Sequence, residues 1–481
     1  MNLELLICES KTSIKEVLEK IELNSKGICL VVKNNKLIGV VSDGDIRRGL
    51  INGITLNEEV QTIANKDFKY LKIGYKKYEV DEIFTEPINI IPIIDNSFVI
   101  KDFIERSDSI NIPILEPYLL GNENEYVNNC LKTKWISSQG KYVSNFEQMF
   151  EQLHPNMNAV AVSSGTAALH LALLGLDVKE DDEVIIPNLT FAACINAIIY
   201  CKATPVLCEI DQDTWCIDPN EIEKLISNRT KVIMPVHLYG QACNMNKIIE
   251  LSNKYNISIL EDCAEAIGTK YQSKPVGTFG DSSIFSFFGN KTISTGEGGM
   301  VLLKDRNRAE YVRILRDHGM NPNKKYWHDV VGYNYRLTNI QAAIGVAQVE
   351  EIDLIINKKM KVASNYQEKL LNSRGIYKLP YISEDIHHSN WLYSIILDRS
   401  LDRNKVIIKL KEKGIDSRPI FYPLDEMPPY KFYPKSSSLD ISKFISSHGL
   451  SLPSSAGLGE GEIEYVVDSL ERILDSLINV S

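Results

Sequence analysis

Apolar and polar positions follow three different patterns along the 481-residue chain. Over residues 12–109 the pattern is that of a small α+β unit. Residues 14–21 repeat with a helical period, 27–32 form a short apolar strand, and Asn34-Asn35 turns the chain into a second strand at 36–41. From residue 159 the pattern becomes strand-length apolar runs separated by helical ones. The predicted pairs are 159–162 with 166–176, 183–187 with 191–203, 205–210 with 219–226, and 231–235 with 245–255; a further strand at 257–260 ends in Glu261-Asp262. Runs of this kind predict an α/β domain with a mostly parallel sheet covered on both faces, and such sheets bind ligands at the carboxyl ends of their strands. Beyond Lys358 the chain carries its own helices and strands, which predicts a smaller C-terminal α/β domain. The expected domains are 1–108, 109–357 and 358–481, with 105–111, rich in serine and acids, as the linker before Pro113.

Composition narrows the function classes. With 44% hydrophobic and 24% charged residues this is a globular chain able to bury a large core. A net charge of −10 argues against a nucleic-acid surface. The nine cysteines are odd in number and lack C-x-x-C pairs, so they read as reduced, buried thiols, and no metal site is expected. No apolar stretch approaches a membrane span, and the start Met-Asn-Leu-Glu-Leu-Leu lacks the features of a signal peptide. The expectation is a cytoplasmic protein without membrane contact.

Candidate chemistry gathers at the expected strand ends. Ser163-Ser164-Gly165-Thr166 opens a helix, where backbone N–H groups and the helix dipole can hold a phosphate. Phe191 follows the next strand and could stack on a flat cofactor. Asp262 ends a buried strand, a costly place for a carboxylate unless it meets a cation or several donors. Lys291 lies five residues after Ser286 and just ahead of Gly296-Glu297-Gly298-Gly299, a run that lacks the spacing of a dinucleotide fingerprint and leads into a strand. An amine, a phosphate cradle and a buried carboxylate are the parts that chemistry with pyridoxal 5′-phosphate needs.

Two resemblances extend this reading. Gly39-Val40-Val41-Ser42-Asp43-Gly44-Asp45 resembles the adenosine-binding signature of a CBS domain, which implies that Ser42 and Asp45 hold the ribose of an adenine nucleotide. The same two residues can instead cap the helix that follows. Residues 68–104 would be a second, degenerate repeat, since Asn96-Ser97-Phe98-Val99-Ile100-Lys101-Asp102 lacks the signature.

Residues 112–474 resemble the DegT/DnrJ/StrS family of nucleotide-sugar aminotransferases. The motifs that carry the likeness are Gly121-Asn122-Glu123, Trp135-Ile136-Ser137-Ser138-Gln139-Gly140, Ser163 to His170, Glu261-Asp262-Cys263-Ala264-Glu265-Ala266, the Lys291 segment and Gly332-Tyr333-Asn334-Tyr335-Arg336. The wording of Ser286 to Thr292 is most similar to the branch that aminates C4 of a 4-keto-6-deoxyhexose.

The resemblance implies the fold type I aminotransferase architecture, pyridoxal 5′-phosphate as cofactor, L-glutamate as donor, a nucleotide sugar as acceptor, and an amino-sugar product for surface polysaccharide. It makes Lys291 the Schiff-base lysine and proton carrier, and Asp262 the partner of the pyridine nitrogen. Gly165, Thr166 and Ser286 would hold the phosphate, joined by Asn334 from a second subunit, which implies a homodimer with shared sites. Glu265 stands where many members have Gln, near the cofactor's phenolic oxygen. Trp135, His237, Tyr239, Arg418, Tyr422 and His448 stand in runs that lie near the sugar nucleotide in the family. A related dehydratase branch has His in place of this lysine, so Lys291 separates the chain from it. Other readings are an aminotransferase for a UDP-linked or smaller ketone, and a non-catalytic nucleotide-sugar sensor.

Overall fold

The computed structural model describes residues 3–24, 26–75, 79–80, 83, 88, 90–105 and 112–479. The chain divides into two units, Met1–Ile112 and Pro113–Ser481. From residue 106 to 111 the expected linker lies outside the described residues.

In the first unit β1 (Ile7–Glu9), α1 (Ile14–Asn24), β2 (Ile28–Lys33), β3 (Lys36–Ser42) and α2 (Asp43–Ile51) follow the predicted order. Asn34 and Asn35 both take positive φ, the conformation a two-residue hairpin turn demands and asparagine tolerates. After β4 (Leu71–Lys72) come β5 (Ile90–Ile94) and β6 (Ile100–Glu105). Both three-stranded sheets share one scheme, in which the first strand runs parallel to the second and the second antiparallel to the third. Leu30, Val32 and Leu37 of one sheet pack in a common cluster with Ile94 and Ile100 of the other.

Ser42 and Asp45 are turned on each other. Ser42 Oγ accepts from the Asp45 N–H, while the Asp45 carboxylate accepts from the Ser42 N–H and hydroxyl and pairs with Arg48. This reciprocal capping box starts α2. Of the two roles open to the pair, capping is the one this geometry displays.

The second unit begins with α3 (Glu123–Thr133) and α4 (Lys141–Leu153). Next come β7 (Asn158–Val162), α5 (Gly165–Gly175), β8 (Glu183–Pro187), α6 (Ala193–Tyr200), β9 (Thr204–Cys208), α7 (Pro219–Leu225), β10 (Thr230–Ile233), α8 (Met245–Tyr255) and β11 (Ser258–Asp262). A short ribbon, β12 (Lys270–Tyr271) and β13 (Lys274–Pro275), leads to β14 (Ser282–Ser286), β15 (Gly299–Leu303) and α9 (Arg306–Arg316). The seven-stranded sheet has the order β7-β15-β14-β11-β10-β8-β9, and β15 alone runs against its neighbours. Its strands are mostly apolar and largely buried on both faces, which is why most of them read as continuous runs rather than alternation.

α10 (Asn339–Glu350) and α11 (Ile352–Leu370) lead into the small lobe. There β16 (Ile376–Lys378), β18 (Tyr393–Leu397), β20 (Gly449–Leu452) and β19 (Arg418–Pro419) form an antiparallel sheet in that order, while β17 (Ile386–His387) joins the ribbon. α12 (Arg403–Glu412), α13 (Asp440–His448) and α14 (Glu460–Ile478) complete it. The boundary expected at 357/358 falls inside α11, so a helix rather than a loop joins the lobes. Among the described residues no helix is long and apolar enough to cross a membrane. All nine cysteines are buried and unpaired by disulfide.

β7 lies at the sheet edge, where unpaired backbone groups invite slippage. Two helices close that edge with charged side chains. The N–H groups of Ala159 and Ala161 donate to Glu151 (3.0 Å) and Glu147 (2.8 Å), and their carbonyls accept from Arg313 (2.6 Å) and Arg316 (2.8 Å). Glu147 also pairs with both arginines, at 2.7 and 2.8 Å. Glu147→Leu removes the carboxylate paired with both guanidinium groups and leaves the Ala161 N–H without its acceptor, so urea unfolding should show a loss on the order of 3 kcal/mol. Glu147→Gln, which keeps an acceptor, should lose less; a Leu variant as stable as the wild type would remove this lock from the account of the edge.

Candidate active site

The carboxyl ends of β7, β8, β11 and β14 open on a cavity of about 340 Å³. At the end of β7 the Ser164 hydroxyl caps α5 by accepting the Ala167 N–H at 3.1 Å. The first N–H groups of a helix have no acceptor within it, so those of Gly165 and Thr166 are left for whatever fills the cavity. A side chain at Gly165 would bring its Cβ within 2.8 Å of Ser286 Cβ. Gly299 is constrained more tightly, because a Cβ there would stand 2.4 Å from the Ser164 carbonyl oxygen. The last glycine of Gly296-Glu297-Gly298-Gly299 is thus a packing requirement that lets β15 pass the cradle.

Asp262 ends β11 and is 4% exposed. Its Oδ1 accepts the Ala264 N–H at 2.9 Å and its Oδ2 the Cys194 thiol at 3.0 Å. Burial raises its carboxyl above the usual range, against the pull of those donors and of the Lys291 charge. Lys291 Nζ stands 3.6 Å from Glu265 Oε1 and 3.9 Å from the centre of the Trp391 ring. Glu265 Oε2 accepts the Tyr239 N–H at 2.8 Å. Burial pushes the Glu265 carboxyl up to about 7, Lys291 opposing and Asp262 adding to the shift. Phe191, 59% exposed, lies on the cavity wall with its ring tilted against Phe421.

The structure therefore brings Gly165, Thr166, Phe191, Asp262, Glu265, Ser286 and Lys291 to one cavity. The six residues expected near a sugar nucleotide lie outside its lining. His237 is a correction to the expected site. Its imidazole is fully buried, with Nε2 donating to Glu261 at 3.1 Å and Nδ1 accepting the Cys243 N–H at 3.1 Å. Glu261 accepts in addition the N–H groups of Gly277, Phe279 and Gly280, so four donors fill its lone pairs. That node could bring His237, Glu261 and Cys263 together as metal ligands, yet its oxygens are already taken by hydrogen bonds.

Tyr239 stands behind the wall. Its ring stacks on Trp391 and Phe421, and its hydroxyl accepts the Phe421 N–H at 3.1 Å. Trp135 lines a separate cavity of about 650 Å³ with Gln139 and Lys141. Arg418 pairs with Asp416 at 3.0 Å, Tyr422 is half exposed beside the Arg403 guanidinium, and His448 bonds back to Phe444 and Ser447 at the end of α13. Asn334 is exposed and accepts from Arg336 Nε at 3.0 Å.

Among the wall residues that escaped the sequence reading are Cys194 and Trp391. Cys194 was legible only as a buried thiol, and Trp391 is brought to Lys291 from a hundred residues downstream. The Trp391 indole N–H donates to the Asn290 carbonyl at 2.6 Å, which fixes the peptide next to Lys291.

Residues 117–471 match the DegT/DnrJ/EryC1/StrS aminotransferase family, and residues 1–52 match the CBS domain. The chain is 45% identical over 361 residues to GDP-perosamine synthase of Escherichia coli O157:H7, covering 75% of this chain and 98% of that protein. It is 44% identical to the Caulobacter vibrioides enzyme of the same name, covering 76% and 100%. Among solved structures, DesV of S. venezuelae superposes with a TM-score of 0.69 at 31% identity, covering 74% of this chain and 94% of that one. Helicobacter pylori PseC, an aminotransferase of pseudoaminic acid biosynthesis, gives 0.72 at 26% identity, covering 76% and 100%. With a CBS domain at its N-terminus, the chain belongs to the DegT/DnrJ/EryC1/StrS aminotransferase family.

Proposed function

We propose that this chain uses pyridoxal 5′-phosphate to move an amino group from L-glutamate to C4 of a GDP-linked 4-keto-6-deoxyhexose, supplying an amino sugar for surface polysaccharide. The observation that carries the reading is the meeting of Lys291, Asp262 and the glycine cradle in one cavity. The identity to GDP-perosamine synthases supports the choice of acceptor.

The residues fit the cofactor. The Gly165 and Thr166 N–H groups and the Ser286 hydroxyl would hold its phosphate, in space that a Cβ at 165 would close. Asp262, with only two donors for its lone pairs, would accept a hydrogen bond from the ring nitrogen and keep that nitrogen protonated, and Phe191 would cover the ring. Bound there, the cofactor supplies an electron sink for the pair left when a proton leaves the amino-bearing carbon. Lys291 anchors it and, once freed, its amine takes that proton and later returns it. Burial, which raises the Asp262 carboxyl by penalising its charge, leaves it in want of a cation, and the protonated ring nitrogen would be one. Trp391 and Phe421 narrow access to water from the small-lobe side.

We read Asn334 as the phosphate contact supplied by a second copy of the chain. It lies outside its own cavity, in a stretch where Tyr326, Trp327 and Val331 are large, apolar and exposed.

Purified protein should be yellow, bleach with L-glutamate and recover its colour on adding a 4-keto sugar nucleotide. Lys291→Ala should abolish turnover while cofactor binding stays measurable, and a colourless protein that still binds sugar nucleotide would sink the enzyme reading. In a panel of GDP-, UDP- and dTDP-linked 4-keto-6-deoxy sugars read by mass spectrometry, the GDP sugar should be aminated first. Preference for another base would overturn that part. Mixing inactive Lys291→Ala and Asn334→Ala dimers should restore about a quarter of wild-type activity through mixed dimers, which keep one intact site; no recovery would place Asn334 outside the shared site.

A further inference from the structure

We propose that Glu265 is the proton acceptor for Lys291: the ammonium proton passes from Nζ to Oε1 when the amine is needed as a nucleophile, and returns when the amine is set free. The proposal rests on the cofactor reading above and assigns a step to a residue that reading leaves idle. In that step an N–H bond breaks, an O–H bond forms, and the pair stays neutral in total charge.

An ammonium group has no lone pair, so a buried lysine must pass its proton to something before it can attack. Lys291 and Glu265 are 14% and 5% exposed, and their charged atoms stand 3.6 Å apart. The other groups that face this pair are committed elsewhere. At the end of β11 Asp262 accepts from the Ala264 N–H and from the Cys194 thiol of α6, and its remaining lone pairs are assigned above to the ring nitrogen. The Tyr239 hydroxyl is tied to the Phe421 N–H, and the Trp391 indole N–H points to the Asn290 carbonyl.

Glu265 itself is aimed. Its Oε2 is held by the Tyr239 N–H at 2.8 Å, which leaves Oε1 toward the amine. Tyr239 makes that bond from a left-handed backbone conformation, φ +54°, which is uncommon for a bulky residue. A strained backbone that serves one hydrogen bond marks a built feature. Burial brings this carboxyl up to about 7, which makes it a stronger proton acceptor than an ordinary carboxylate.

The test counts protons. Full-length chain stripped of cofactor is titrated with pyridoxal 5′-phosphate near pH 8 by calorimetry in buffers of different ionisation enthalpy. In the wild type the lysine proton stays on Glu265, whose carboxyl rises further once the opposing Lys291 charge is gone, whereas in Glu265→Gln it leaves for solvent, so the variant should release about one proton more per site. Equal release would overturn the proposal. A binding difference infrared spectrum of the wild type should gain a protonated-carboxyl band that Glu265→Gln lacks. Absence of that band in the wild type counts against the proposal even if the variant folds poorly. The rate of cofactor capture should level off above pH 7 in the wild type, where Glu265 is ionised and able to accept, and keep rising with pH in the variant. Protein that binds no cofactor refutes the underlying function together with this step, while normal binding with equal proton counts refutes the step alone.

Discussion

A carboxylate held out of water with two weakly matched donors is the constraint on which the site turns. Asp262 is nearly inaccessible, and one of its two donors is a thiol, a poor hydrogen-bond partner. Such a group is costly unless something positive completes it. The fold holds it in place regardless: its N–H donates to the Pro235 carbonyl at 2.9 Å and its carbonyl accepts the His237 N–H at 3.0 Å. Alternation along β11 then separates two acids that adjoin in sequence, since successive side chains of a strand point to opposite faces. Asp262 faces the cavity, and Glu261 faces the loop at 277–280, where it is satisfied four times over. One acid is left wanting a partner while its neighbour braces the strand.

The amine opposite is supported from the small lobe. Lys359 of α11 is fully buried, and its Nζ donates to the carbonyls of Trp391 (3.1 Å) and Ser454 (2.7 Å). Burial pushes its amine down to about 7, so near neutral pH it serves as a hydrogen-bond donor at a reduced cost in charge. Trp391 in turn fixes the Asn290 peptide and lays its ring beside Lys291. On the other side, the charged lock on β7 keeps the edge strand, and with it the cradle at Ser164 to Thr166, in register with β15. The cavity is held between two braces whose buried charges, Lys359 on one side and Glu147, Arg313 and Arg316 on the other, lie outside its lining.

Elements with a strong period were legible from sequence. α8 spans the same residues in pattern and in structure, Met245–Tyr255, because its apolar face faces the sheet on one side only. The helix expected from 191 begins at Ala193 instead, since Phe191 turns out to the cavity wall before the helix starts. Residues grouped by motif were legible where the motif is itself a strand end: Gly165, Asp262 and Ser286 all lie there. His237 was expected near the sugar nucleotide from the resemblance alone, while its hydrogen bonds carry it to Glu261 on the far face of β11. Cys194, Trp391 and Lys359 were silent for another reason. Each reads as filler or as a surface charge, and only long-range packing gives it a partner.

The size of the cavity decides where recognition of the acceptor must occur. About 340 Å³ lies at the small end of the range for single small-molecule pockets. That volume suits a cofactor and the few atoms reacting with it, and a sugar nucleotide is far larger. The base and diphosphate of any such acceptor must therefore be read on surfaces beyond Lys291. Trp135, Arg418 and Tyr422 are all exposed and lie outside the cavity, which is a fault if they are to touch the reacting carbon and no fault if they are to meet the nucleotide. Selectivity for the ketone and selectivity for the base would then reside on different parts of the molecule, and a change of base could leave the chemistry at Lys291, Asp262 and Glu265 untouched.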